Sequence, residues 1–280
     1  MMRIRPIMAL QGASSTATAT AAINRREFLG TLAAAGAPSR ATAQAPERRV
    51  KVVKLFKSPD GHPNGLEASP EGLWIGEQIT DRAHLVDWTG RVLRSLETES
   101  SNTSGIAYGG GFLWMAANGR ALWRRPRPTD AVEGEILKVD PSTGKTVARY
   151  PVPGGGGVHG LEFAENRLWI TSLRLGKLSA VDPSDFRVVH EIPVRRSRAH
   201  GLAWEPPGIW CVFSNDRVIE KLDARDGRLL ELIRLSAEDP DPHGLCLYQG
   251  KLYYCDAGIG LGAISNRSPW TGYICRLDPL

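Results

Sequence analysis

The chain of 280 residues carries a formal charge of +5. Five of its 35 Lys and Arg residues and one of its 30 Asp and Glu residues lie in the first 45 positions, so the other 235 residues hold 30 basic against 29 acidic side chains and a charge of +1. That balance excludes the basic surface of a nucleic-acid-binding protein, and 235 residues suffice for one large domain with a substantial core.

Residues 1–45 read as a cleaved targeting segment. Arg3, Arg5, Arg25, Arg26 and Arg40 face a single acid, Glu27. "NRREFLG" (Asn24 to Gly30) resembles the twin-arginine export signal, and Ala43-Gln44-Ala45 has the small-residue pattern of a cleavage site. A mitochondrial transit peptide is also Arg-rich and acid-poor; adjacent arginines followed by Phe-Leu favour export. The apolar run "FLGTLAAAGA" is too short to span a bilayer. The expected location is periplasmic or extracellular, with the twin-arginine machinery as a partner and no stable membrane span.

The segment 46–280 opens on a strand without a partner, "RRVKVVKLF" (Arg48 to Phe56), and then repeats one unit five times. The copies align on Gly65, Gly105, Gly160, Gly201 and Gly244, each followed by Leu or Ile. Nine residues after each glycine stands an aromatic: Trp74, Trp114, Trp169, Trp210 and Tyr253. An aspartate follows thirteen residues later in three copies (Asp87, Asp182, Asp223); insertions displace it to Asp140 and Asp278 in the other two. Within a copy, "GLEFAENRLWI" is a strand, a polar turn and a second strand. A third strand ends at the aspartate, turns such as "DPSTG" and "DARDG" follow, and a fourth strand comes next. Four antiparallel strands in about 40 residues is the size of a propeller blade. The last copy stops after its third strand, "GYICRLDPL". The expected fold is therefore all-β: a five-bladed propeller whose last blade is completed by the N-terminal strand, which removes two exposed sheet edges. The repeated aromatics are expected in the core between blades. Cys211, Cys246, Cys255 and Cys275 lack CxxC spacing and read as buried small hydrophobes; Cys255–Cys275 is the pair to test for a disulfide.

The repeat "HGL…LWI…D" resembles the blades of virginiamycin B lyase-like propellers and of the related sugar-lactonase group, which typically have six or seven blades. Plant-type glutaminyl cyclotransferases are similar in having five blades, although their characteristic blade sequences are not found here.

The residue before each repeated glycine is Asn64, Ser104, His159, His200 or His243. In a propeller this position lies where the innermost strand begins, at one mouth of the central channel. Three imidazoles are thus expected at one height around the axis, with His62 two residues before Asn64. Such a cluster can hold a divalent metal or exchange a proton directly; equally, each histidine can serve its own blade's turn. His84 and His190, in outer strands, read as surface residues. Both insertions, "ANGRALWRRPRPTDAV" (117–132) and "AGIGLGAISNRSPWT" (257–271), fall in loops on the histidine face. Trp123 with Arg124, and Trp270 with Arg267, suit an anionic or carboxylate-bearing small molecule. Glu77 and Asp256, three residues past the aromatic in their copies, are candidate bases or ligands, or bond to backbone amides.

No nucleophile elbow, HExxH, phosphate loop, dinucleotide fingerprint or quinone motif occurs. The resemblance implies an exported lyase or hydrolase, with a divalent metal at His159, His200 and His243 as a possible cofactor. A non-catalytic ligand- or protein-binding propeller and a glutaminyl cyclotransferase-like enzyme are the alternatives. Replacing Arg25 and Arg26 with Lys is expected to retain the protein in the cytoplasm. Unchanged periplasmic yield on cell fractionation would refute the twin-arginine reading.

Overall fold

The computed structural model describes residues 45–260, 263–264 and 268–280. The leader with Arg25 and Arg26, and Arg267 in the second insertion, lie outside the described residues. Five four-stranded antiparallel sheets are arranged as blades around one axis, and neighbouring innermost strands touch in a closed ring. Blade one comprises Pro63–Ser69, Gly72–Glu77, Ala83–Val86 and Val92–Leu96. Blade two comprises Thr103–Gly109, Phe112–Asn118, Gly134–Val139 and Thr146–Pro151. Blade three comprises Val158–Ala164, Arg167–Ser172, Lys177–Val181 and Val188–Pro193. Blade four comprises Ala199–Glu205, Gly208–Phe213, Val218–Asp223 and Leu229–Arg234. In blade five, Leu245–Tyr248, Lys251–Cys255 and Tyr273–Pro279 are joined by the N-terminal strand Val50–Lys57, with Val52 opposite Leu277 and Phe56 opposite Ile274. The chain ends thus close the ring. Among the described residues no helix is long and apolar enough to cross a membrane.

The repeat has a clear division of labour. Each aromatic is buried in the interface towards the next blade: Trp74, Trp114, Trp169, Trp210 and Tyr253 fall in five separate interblade clusters. The residue after each glycine (Leu66, Ile106, Leu161, Leu202, Leu245) fills the interface towards the preceding blade. Asp87, Asp140, Asp182 and Asp223 cap the turn between the third and fourth strands. Asp87 accepts the Thr89 amide at 2.9 Å, and Asp182 accepts that of Ser184 at 2.9 Å.

The glycines mark where the blades meet at the axis. A Cβ on Gly160 would lie 2.0 Å from the His200 carbonyl oxygen, and one on Gly201 would lie 2.3 Å from the Leu245 amide nitrogen. Backbone packs directly on backbone, which only glycine permits.

Two readings of the outer residues are corrected. His84 is 3% exposed, because its ring bridges Ser95 (2.8 Å) and Asp60 (3.1 Å) inside blade one. His190 is half-buried, with Nε2 2.9 Å from the Ala224 carbonyl of blade four. All four cysteines are free and buried. Cys255 faces the blade five–blade one interface and Cys275 faces blade four, so their side chains leave opposite sides of one sheet and form no disulfide.

Gly160→Ala is expected to destabilise the fold by roughly 1–3 kcal/mol, the range for forcing an extra methyl into a packed interior. An unchanged urea midpoint would show that the axis can spread.

Candidate functional site

The histidine position is set by a repeated irregularity. The pairing of the first and second strands shifts register between Val158 and Leu161 and between Ala199 and Leu202. His159-Gly160 and His200-Gly201 therefore sit in β-bulges, which turn a side chain out of its normal alternation. In blade three the hydroxyl of Thr171 accepts both freed amides, from His159 (3.0 Å) and Gly160 (2.8 Å). The bulges carry the His159 and His200 imidazoles to the channel mouth, where His243, ahead of the first strand of blade five, joins them.

The three imidazoles meet there. The His159 and His200 ring centroids are 4.1 Å apart, and those of His200 and His243 are 4.9 Å apart, both edge to face. His159 Nδ1 lies 2.6 Å from His200 Nε2. Hydrogen-bond logic assigns the protons. Asn118 Oδ1 accepts the Val158 amide, so its Nδ2 donates to His159 Nε2 at 3.0 Å. His159 then carries its proton on Nδ1 and donates to His200, which is protonated on its own Nδ1. A matching chain runs round the other half of the mouth. Asn64 donates to Gln78 (2.8 Å), Gln78 to Asn102 (2.8 Å), and Asn102 to the Asn118 carbonyl (3.1 Å).

These side chains line a cavity of ≈ 270 Å³ at the channel mouth, with Leu122, Trp123 and Ile259 as its apolar walls and Arg198 as its cation. Arg198 occupies a left-handed backbone conformation, φ 56°, which is uncommon outside glycine. It donates to Asn215 at 3.1 Å. Burial lowers the pKa of its guanidinium. Asn64 is 2% exposed, and its Oδ1 has no hydrogen-bond partner among the described residues.

Burial sets the protonation of the site. It is the largest influence on all three histidines, and the charge of Arg198 adds to it; His159 is lowered to about 3 and His200 well below its ordinary value. His243 is lowered only to about 4, because the Asp256 carboxylate and the Ile259 carbonyl partly offset burial, Arg198 and Arg217. Its Nδ1 also lies 3.3 Å from the Asp241 carbonyl.

Several expected site residues do other work. Glu77 is fully buried, accepts the amides of Asp60 (3.3 Å) and His62 (2.8 Å), and folds the loop before blade one. Asp256 accepts from the amides of Asp241 (2.9 Å) and Gly258 (2.8 Å) and from Ser268 (2.6 Å). Neither lines the mouth; the backbone-binding alternative holds for both. Arg124 is also corrected: it is held by Asp81 (2.6 Å) and Asp130 (2.6 Å), which pins the first insertion to blade one and leaves it no free charge. Trp270 donates to the Glu238 carbonyl at 2.9 Å with the Lys54 ammonium 4.0 Å above its ring, so it anchors the second insertion outside the mouth. His62 is tied to the Ala257 carbonyl at 2.9 Å. Trp123 and Asn64 do line the mouth. Arg267 lies outside the described residues.

The imidazoles do not fit a metal as they stand. Two nitrogens on one tetrahedral zinc are about 3.3 Å apart, whereas the His159 and His200 nitrogens, at 2.6 Å, share a proton. Among the described residues no group of three His, Cys, Asp or Glu side chains is disposed to hold a metal ion.

Sequence reasoning missed Gln78, Asn102, Asn118 and Arg198, though two signals were available. Glu77 stands three residues past the aromatic; side chains alternate along a strand, and the position one further on, Gln78 or Asn118, is the one lining the mouth. The offset noticed for His62, two residues before the pre-glycine position, also picks out Asn102 and Arg198.

No protein-family profile and no curated protein matches this chain. Among solved structures, it is similar to a glutaminyl cyclase from Myxococcus xanthus, with a TM-score of 0.61 and 11% identity over 85% of this chain and 100% of that one. It is also matched to a catalytically inactive virginiamycin B lyase from Staphylococcus aureus with quinupristin, with a TM-score of 0.48 and 17% identity over 80% of this chain and 69% of that one. A streptogramin B lyase gives a TM-score of 0.49 and 14% identity over 82% of this chain and 98% of that one. These likenesses concern the propeller fold.

Stability should report the buried imidazoles. His159 and His243 stay neutral in the native state down to about pH 3 and about pH 4, whereas the unfolded chain protonates near 6.5. In that window the unfolded state binds more protons, so their contribution is complete above about pH 6.5 and is lost as pH falls towards the native values. Glu162, raised by burial to about 8, and Glu67, raised by burial and by Glu162, act oppositely, losing stability as pH rises. Comparison with His159→Gln and His243→Gln isolates the histidines. The wild-type advantage should fall between pH 6.5 and 4 by up to about 1.4 kcal/mol per pH unit for each histidine, measured by urea unfolding. A pH-independent difference would mean the rings titrate normally.

Proposed function

We propose that this protein is an exported propeller enzyme, a lyase or hydrolase, acting at the channel mouth on a small carboxylate-bearing molecule. The observation that carries this reading is an unpaired acceptor at the mouth: Asn64 lines the cavity, and its buried Oδ1 has no partner among the described residues. An unmatched buried acceptor costs stability and is complementary to a ligand N–H or O–H. Arg198, which has no carboxylate within salt-bridge distance among the described residues, supplies the complementary charge for a carboxylate.

His243 is the proton acceptor in this scheme. His159 and His200 each use their lone-pair nitrogen inside the chain from Asn118. The ring of His243 is flanked by the Asp241 carbonyl and receives support for its charged form from Asp256 and Ile259. A substrate carboxylate beside Arg198 cancels a charge that holds His243 down, and so raises its basicity when substrate is bound. Arg198 also stabilises negative charge that develops in the transition state. Metal plays no part in this scheme.

The test is turnover of lactones, cyclic depsipeptides and N-terminal glutaminyl peptides by the purified mature chain, the last included because a glutaminyl cyclase shares the fold. His243→Asn is expected to lower kcat by about 10²–10⁴, the range for losing general acid–base catalysis, with His159→Gln costing less. No turnover of any of these, or turnover indifferent to His243→Asn, would sink the proposal in favour of a binding module.

A further inference from the structure

A second cavity adjoins the mouth between blades three and four, with a volume of ≈ 580 Å³. His159 and Arg198 border both cavities, so the two are neighbours across these side chains. Leu173, Leu175 and Val194 form the apolar part of the groove, and Arg174, Lys177 and Arg196 join Arg198 as its cations. Two of these charges are already matched: Lys177 by Glu191 at 2.8 Å, and Arg196 by Glu220 at 2.6 Å and Asp216 at 3.0 Å. Arg174 and Arg198 have no carboxylate within salt-bridge distance among the described residues, so the groove presents two guanidinium groups outside any ion pair; the Glu133 carboxylate stands near Arg174, 3.8 Å from the Cβ position of Gly155 that lies 3.1 Å from Arg174 Nη1. Arg174 is exposed and lies against the glycine run before His159. Gly154, Gly155 and Gly156 all have positive φ; a Cβ on Gly155 would lie 3.1 Å from Arg174 Nη1 and one on Gly156 3.2 Å from Arg174 Nε, whereas one on Gly154 would lie 2.5 Å from the Leu175 side chain. The run of glycines before His159 therefore shapes one wall of the groove.

We infer that this groove is the subsite for the substrate's carboxylate end, clamped by Arg174 and Arg198. The aliphatic portion lies on Leu173, Leu175 and Val194, and the reacting end reaches the mouth. The inference rests on the proposed function for what happens at the mouth, but not for binding in the groove. A volume of ≈ 580 Å³ suits a small ligand, and a forked guanidinium suits a planar carboxylate. It relocates carboxylate recognition from the inserted arginines to the blade three–blade four boundary.

The probe is glutarate, with glutaramide as its uncharged counterpart and inorganic phosphate as a competing anion, all at constant ionic strength. The readout is the side-chain Nε–Hε resonances of Arg174 and Arg198 in the folded mature chain. Glutarate is expected to shift both saturably and glutaramide to shift neither. Arg174→Gln should weaken glutarate about tenfold, as for loss of a charge-assisted hydrogen bond. Arg187→Gln, at a turn on the opposite face, should change nothing. Equal binding of glutaramide, affinity indifferent to Arg174→Gln, an equal loss in Arg187→Gln, or absence of saturation would each overturn the inference. Tighter binding of phosphate with the same dependence on Arg174 would overturn the choice of carboxylate. Glutarate binding without any turnover removes the proposed function and keeps the groove. Turnover of a carboxylate substrate indifferent to Arg174→Gln removes the groove and keeps the function.

Discussion

The close approach of five backbones at the axis is the constraint on which the rest of the molecule depends. Gly65, Gly105, Gly160, Gly201 and Gly244 form a belt in which each added Cβ would meet a neighbouring backbone at 3.1 Å or less. Five blades closing this tightly leave no room for a side chain at that height. The belt divides the axis into two sides with different chemistry. Amides and imidazoles occupy the mouth side. Two residues past the glycines, on the other side, stand Glu67 and Glu162, whose carboxyls burial pushes towards the protonated form. In blades one to four the innermost strand bulges at the belt, and the bulge carries the residue before the glycine.

Polarity at the mouth is achieved almost without charge. Asn64, Gln78, Asn102, Asn118, His159 and His200 are linked by directed hydrogen bonds. A charged group in such an enclosed place would need a partner, and the carboxylates that could have served, Glu77 and Asp256, are committed to loop amides. The guanidinium of Arg198 therefore acts on an almost neutral surround, where its field reaches all three imidazoles. An incoming anion would change the proton affinity of several groups at once, which is why ligand binding and proton chemistry are coupled in the proposed site.

The insertions illustrate how composition misleads when read without partners. The first carries four arginines and looks like an anion trap. Arg124 is instead absorbed by Asp81 and Asp130, and Arg127 donates to the Thr98 carbonyl at 2.9 Å. What the loop contributes to the mouth is apolar, through Leu122 and Trp123. The free cations come from ordinary blade loops, at Arg174 and Arg198, where nothing in composition set them apart.

The sequence by itself determined the architecture, because the architecture is periodic. A glycine, a following leucine, an aromatic nine residues on and a turn-forming aspartate recur in register, and each answers a requirement that every blade shares: contact at the axis, filling towards the preceding blade, filling towards the next, and reversal of the chain. The completion of blade five by Val50–Lys57 was legible for the same reason, since a repeat lacking a strand and a strand lacking a repeat imply one another. The meeting of His159, His200 and His243 followed from their common position. Only the tertiary structure decided which side chains are spent. Whether Glu77 faces the mouth or a loop amide, whether Arg124 is free or paired, and whether two imidazoles share a proton or splay apart depend on distances of an ångström or two between segments remote in sequence, and no local spacing encodes those.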